Sequence, residues 1–126
     1  MTLRAVTTDG APSALGSYSQ AIDTGKLVFV AGQIGLDPQT RELAAGVEAQ
    51  ADRALRNILA VLDAAGLTMT DVAKTTILLA DIADFDAVNA VYSQFIGDPP
   101  PARATFAVAA LPRGALVEIE AIAVRP

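Results

Sequence analysis

The sequence predicts an α/β domain of the α+β kind, a mixed sheet carrying two helices on one face. Two observations lead there. Strand-like and helix-like stretches alternate along the chain, and the last stretch, Val117-Glu118-Ile119-Glu120-Ala121-Ile122-Ala123-Val124, has the period-two spacing of a strand. At 126 residues with no linker, repeat or low-complexity segment, residues 1–126 are expected to form one domain with a core of its own.

The elements follow in order. Residues 9–21 are rich in Gly, Pro and Ser, from Gly10-Ala11-Pro12 to Gly16-Ser17-Tyr18-Ser19-Gln20, which is turn chemistry. Leu27-Val28-Phe29-Val30 reads as a strand, after which Gly32 and Gly35 let the backbone bend or approach a neighbour closely. Asp37-Pro38 marks a turn. From Val47 to Ala65 the apolar residues Val47, Ala51, Leu55, Ile58, Leu62 and Ala65 recur at three- and four-residue steps, one face of a helix that Gly66 ends. Asp52 and Arg56 form an i, i+4 pair on its other side. Thr75–Leu79 reads as a fully buried strand. Phe85, Val88, Val91, Tyr92 and Phe95 mark a second helix, capped by Asp81 or Asp84 and closed at Gly97. Pro99-Pro100-Pro101 then leads into a strand over 102–108 that Arg103 opens, and Leu111–Gly114 is a turn.

Composition narrows the chemistry. The chain has no Cys, His or Trp, which excludes disulfides, thiol nucleophiles, thiolate metal sites and histidine general bases. Nine basic against 14 acidic residues give a formal charge of −5, which repels phosphate backbones and disfavours a nucleic-acid partner. Charged residues make up 18% and hydrophobic ones 52%, a surplus of apolar surface that a subunit interface would bury. Met1-Thr2-Leu3-Arg4 lacks the apolar stretch of a signal peptide, and no run is long enough to span a membrane, so a cytoplasmic location is expected.

Candidate site residues are few. Glu118 and Glu120 are two of the chain's four glutamates and stand in an otherwise apolar strand. Either they mark a solvated outer face, or one of them lines a cleft where it deprotonates or orients water. Arg103, following three prolines, suits bidentate capture of a carboxylate or else a plain surface ion pair. Tyr18 is a pocket wall or a half-buried aromatic. Ser19 has no histidine to activate it, and Gly32-Gln33-Ile34-Gly35 lacks the spacing of a phosphate loop. Asp81, Asp84 and Asp86 have helix-start positions rather than calcium-loop spacing, so no metal is expected.

Taken together, Gly16–Ala21, Val30–Gly35, Asn57 with Leu62 and Ala65-Gly66, Asp84-Phe85, Val88-Asn89, Val91-Tyr92, Pro101-Ala102-Arg103, Leu111-Pro112, Gly114-Ala115 and Val117–Ala123 resemble the RidA (YjgF) family of reactive-intermediate deaminases from end to end. The resemblance implies a chorismate-mutase-like fold, a homotrimer with clefts between subunits, and cofactor-free hydrolysis of 2-imino acids such as 2-iminobutanoate to 2-keto acids and ammonia. It assigns Arg103 to the substrate carboxylate, Glu118 to the attacking water, Tyr18 and Gly32 to the cleft, and Asn89 to a helix position of the motif. Thr105 stands where many members carry cysteine, with its contact to ligand attributed to the backbone, and Ser17 replaces a common proline. Two rival functions remain on this reading: a non-catalytic module sensing small carboxylates, and an endoribonuclease, which the acidic charge and absent histidine disfavour.

Overall fold

The computed structural model describes residues 2–126; Met1, the first residue of the expected domain 1–126, lies outside them. Six strands, β1 (Arg4–Val6), β2 (Ala21–Asp23), β3 (Leu27–Ile34), β4 (Val72–Leu79), β5 (Ala102–Ala107) and β6 (Val117–Val124), form one sheet in the order β1-β2-β3-β6-β4-β5. All neighbours are antiparallel except β4 and β5, which run parallel. A parallel pair needs a crossover, and the helix α2 (Phe85–Tyr92) supplies it. The strand with the two glutamates, β6, is thus central, between β3 and β4.

The longer helix, α1 (Val47–Ala64), buries Ala51, Ala54, Leu55, Ile58, Val61 and Leu62 against β3 and β6. Its apolar stripe is the expected one, and each fully buried Leu or Ile contributes about 1.5–3 kcal/mol. Gly66, at φ 76°, ends it. The Gly66 N–H donates to the Asp63 carbonyl (2.9 Å) and Leu67 N–H to the Leu62 carbonyl (2.8 Å), the paired bonds of a Schellman cap. Asp52 and Arg56 pair at 2.8 Å on the exposed side. The helix-covered face of the sheet carries Val28, Val30, Ile77, Leu79, Val117, Ile119, Ala121 and Ala123, all buried.

Both helices cover the same face, so the other face of the sheet stays open. Thr75–Leu79 is therefore not fully buried as expected; Thr75, Ile77 and Leu79 face the helices, whereas Thr76 and Leu78 are partly exposed. Phe29, Phe106 and Val124, each more than 40% exposed, lie on the open face. The second helix also stops early, at Tyr92 instead of near Gly97. Ser93 Oγ bonds back to the Asn89 carbonyl (2.8 Å), and Gln94 N–H and Phe95 N–H bond three residues back, tightening the chain out of the α register. Asp81 caps the short turn before it through Ala83 N–H, and Asp84 makes no side-chain capping bond. The three-residue strands β1 and β2 fall where the sequence showed only turn chemistry or nothing.

Asp23 ties the ends of the chain together. Its buried carboxylate accepts from Arg125 (2.6 Å), Arg4 (3.1 Å) and Gly25 N–H (2.8 Å), and Arg125 also donates to the carbonyl of Ala65 (2.8 Å) at the end of α1.

Candidate functional site

Glu118 points to the open face of the sheet. In register it stands opposite Ile34 on β3 and Leu78 on β4, while its neighbours Val117 and Ile119 point into the core. The ladder between β3 and β6 is irregular between Val30 and Gln33, which sets Gly32 beside the glutamate side chain. A Cβ on Gly32 would lie 3.0 Å from the Glu118 carboxyl carbon and 3.2 Å from its Cγ. The glycine is thus the space that the carboxylate occupies. Among the described residues Glu118 makes no hydrogen bond or ion pair. Burial, followed by the nearby charge of Glu120, pushes its carboxyl above the ordinary range. Such a group holds a proton more readily than a solvated glutamate and so serves better as a base toward water.

A cavity of about 570 Å³ opens over this carboxylate, lined also by Tyr18, Gly32, Arg41 and Arg113. Three of the sequence-predicted residues, Tyr18, Gly32 and Glu118, come together here. Tyr18 is 55% exposed, a wall of the cavity rather than part of the core. Glu120, the other candidate carboxylate, is exposed.

Arg103 is elsewhere. It stands in register with Thr75, whose hydroxyl bonds the Tyr92 hydroxyl of α2 (2.6 Å), so its side chain is on the helix-covered face. Its Nη1 donates to Asn89 Oδ1 (2.6 Å), and the guanidinium lies 5.1 Å from the Tyr92 ring centre and 5.6 Å from that of Phe85. This amide and these rings fix the plane of the guanidinium while leaving most of its N–H donors free. Arg103 and Asn89 line a second cavity of about 520 Å³, with Pro100 and Pro101 on its rim. Thr105, two residues on, shares this face; its hydroxyl oxygen is buried without a hydrogen-bond partner among the described residues.

The loops around the Glu118 cavity are held by three buried amides. Gln20 bonds Thr8 through both its N–H and its carbonyl, and also the carbonyls of Ala11 and Pro12. Asn57 donates to the carbonyls of Ile34 and Leu36 (3.3 and 3.0 Å). Gln50 donates to the Ala44 carbonyl and accepts from Leu116 N–H (2.8 Å). Sequence reasoning missed Gln50, and it took Asn57 only as a motif residue. Both stand in step with the apolar stripe of α1, a signal that could have found them. Arg41 and Arg113 were also missed, and the sequence carries no sign of them because separate loops bring them to the cavity. Among the described residues no three Asp or Glu side chains gather to hold a metal ion, and no helix is long and apolar enough to cross a membrane.

Residues 8–125 match the family model described as Endoribonuclease L-PSP. The chain is 52% identical over 127 residues to Protein DfrA of Myxococcus xanthus, covering 98% of this chain and 97% of that protein. It is 47% identical over 123 residues to the 2-iminobutanoate/2-iminopropanoate deaminase of Homo sapiens, covering 97% of this chain and 90% of that protein. Among solved structures, E. coli TdcF with bound serine superposes with a TM-score of 0.94 at 43% identity, covering 98% of this chain and 99% of that one.

Proposed function

The chain belongs to the Endoribonuclease L-PSP family, also called the YjgF or RidA family, and from that premise we propose that it hydrolyses reactive 2-imino acids to 2-keto acids and ammonia. The observation that carries this reading is Glu118: a half-buried, unpartnered carboxylate with its proton affinity raised, facing a cavity over a glycine. Relatives at 47–50% identity named 2-iminobutanoate/2-iminopropanoate deaminase support it.

The chemistry asks little of the protein. A protonated imine beside a carboxylate is already electrophilic, so the site needs to anchor the carboxylate, hold the imine carbon and present a water. Arg103 binds the carboxylate with its fork of donors. Glu118 takes a proton as water adds to C2 and passes it to the nitrogen. As the C–N bond breaks, Glu118 takes the proton of the new hydroxyl, so that the carbonyl forms and ammonia leaves, carrying that last proton away as ammonium. Tyr18 and the backbone at Gly32 and Thr105 line the bound substrate. No step requires a cofactor or a histidine.

Arg103 and Glu118 face opposite sides of the sheet in one protomer, so this mechanism needs a second copy. A homotrimer in which Arg103 of one protomer closes on the Glu118 cavity of its neighbour meets that need. The exposed Phe29, Phe106 and Val124 of the open face fit such an interface. The enzyme would act in the cytoplasm as one domain, residues 1–126. Release of keto acid and ammonia in an assay coupled to a threonine or serine dehydratase tests the activity. Acceleration over the uncatalysed hydrolysis is expected; ligand-induced thermal stabilisation without turnover would point instead to a carboxylate sensor.

A further inference from the structure

Two arginines that the mechanism leaves unused converge on the Glu118 cavity. Arg41 follows the turn after β3, and Arg113 lies in the turn before β6; both line the cavity together with Tyr18 and Glu118. Each has a φ of 59°, and among the described residues no other non-glycine residue has a positive φ. Side chains with a Cβ resist this left-handed conformation, which persists where surrounding contacts impose it and is concentrated at ligand clamps. Here the contacts run in series from one loop to the next. Arg113 Nη2 donates to the Arg41 carbonyl (3.2 Å), and Arg41 Nη1 donates to the carbonyl and hydroxyl of Ser13 (both 3.3 Å).

Among the described residues neither guanidinium has an acidic partner. The ion pairs of the described residues belong to Arg4, Arg56 and Arg125, although the chain has 14 acidic residues to nine basic ones. Each keeps donors to spare after its bonds to neutral oxygens. Two cations with free donors on one wall of a cavity match an anion, and a carboxylate fits their planar forks. The cavity, at about 570 Å³, is in the size range of much larger ligands than a four-carbon acid.

We propose that Arg41 and Arg113 are specificity-determining residues that fit this site to 2-imino dicarboxylic acids, holding the carboxylate at the far end of the substrate side chain. The proposal rests on the deaminase reading above and adds the substrate class to it. The reaction is the same hydrolysis: water adds to C2, the C–N bond breaks, ammonia leaves, and a 2-keto dicarboxylate remains. Enzymes that oxidise acidic amino acids to their imines are the class of reaction that would supply such a substrate.

The test compares two imines made in situ, 2-iminobutanoate from a dehydratase and the imine of glutamate from an oxidase of acidic amino acids, each followed by loss of semicarbazide trapping. Wild type is compared with Arg41→Gly and Arg113→Gly, since glycine accepts the left-handed backbone and spares the fold; melting curves confirm folding. The proposal expects wild type to hydrolyse both imines. Each variant should lower the ratio of kcat/KM for the dicarboxylate to that for 2-iminobutanoate about tenfold or more, the usual worth of a charge-assisted hydrogen bond. Arg113→Lys should recover part of that ratio. An unchanged ratio in both variants would overturn the proposal, as would a wild type active on 2-iminobutanoate alone. A wild type inactive on both imines would instead remove the deaminase reading, and this proposal with it.

Discussion

Arg103 and Glu118 stand two strands apart in the sheet, on β5 and β6, and project from opposite faces. The carboxylate anchor and the base of the proposed reaction therefore belong to different surfaces of the protomer. The proposed mechanism thus makes oligomerisation part of catalysis rather than only a store for apolar surface.

Because the Arg103 side chain is exposed and makes its hydrogen bond to Asn89 alone, removing it leaves the core intact. Arg103→Ala should abolish imine hydrolysis with the melting temperature nearly unchanged. Arg103→Lys should keep part of the activity at a raised KM, because a point charge replaces a planar fork. Steady-state kinetics beside thermal melts check both outcomes; normal turnover by Arg103→Ala would remove the assigned anchor.

Glu118 yields a prediction in pH. Its carboxyl titrates above the ordinary glutamate range in the folded chain, so ionisation costs stability once the pH passes the unfolded value and rises through the folded one. Glu118→Gln should melt higher than wild type at neutral pH, with the gap closing as pH falls below the usual carboxylate range. The same substitution should stop turnover. Wild-type kcat should fall on acidification with a midpoint above that of a free glutamate. Melts and rate profiles across this range read both effects, and a wild type that melts higher than Glu118→Gln at neutral pH would contradict the assignment.

Gly32 and Gly35 separate catalysis from folding. The three atoms nearest a Cβ at Gly32 all belong to the Glu118 side chain, which can swing away, so Gly32→Ala should cost activity and little stability. A Cβ at Gly35 would fall 2.6 Å from Gln50 Cα and 2.7 Å from its carbonyl oxygen, in the backbone of α1. Gly35→Ala should destabilise by about 1–3 kcal/mol or more, as overpacking does. Chemical denaturation and activity on both variants distinguish the two.

Asp23 sets the acid limit. Bonds from Arg125, Gly25 N–H and Arg4 hold its carboxyl well below the ordinary range, outweighing its desolvation. The stability it brings is present above the unfolded carboxylate value and is lost as pH falls from there toward the lower folded value. Asp23→Asn should lower the melting temperature at neutral pH and flatten its fall in acid. Acid titration of both proteins by circular dichroism measures this.

Much of this was legible in the sequence because local patterning dictated it. The stripe from Val47 to Leu62 specified α1, and the alternation around Glu118 and Glu120 specified β6 and its two faces. Tyr18, Gly32 and Glu118 could be chosen from the chain, and the structure gathers them at one cavity. Other features depend on tertiary placement. The strands β1 and β2 are three residues long and carry no period of their own, and Leu78 is half-exposed because both helices lie on the other face. Nothing local announces that Arg103 and Glu118 face apart, since that depends on which residues of β4 and β5 come into register. Arg41 and Arg113, 72 residues apart, meet only through folded loops.

Complementation between inactive variants tests the shared site most directly. Arg103→Ala and Glu118→Gln protomers, each inactive alone, are co-expressed with different tags and the mixed oligomers purified. If one protomer supplies Arg103 and its neighbour Glu118, every mixed trimer contains one cleft in three that unites both intact residues, so the purified mixed trimers regain about a third of wild-type activity. Mixed oligomers as inactive as either parent would contradict the shared cleft.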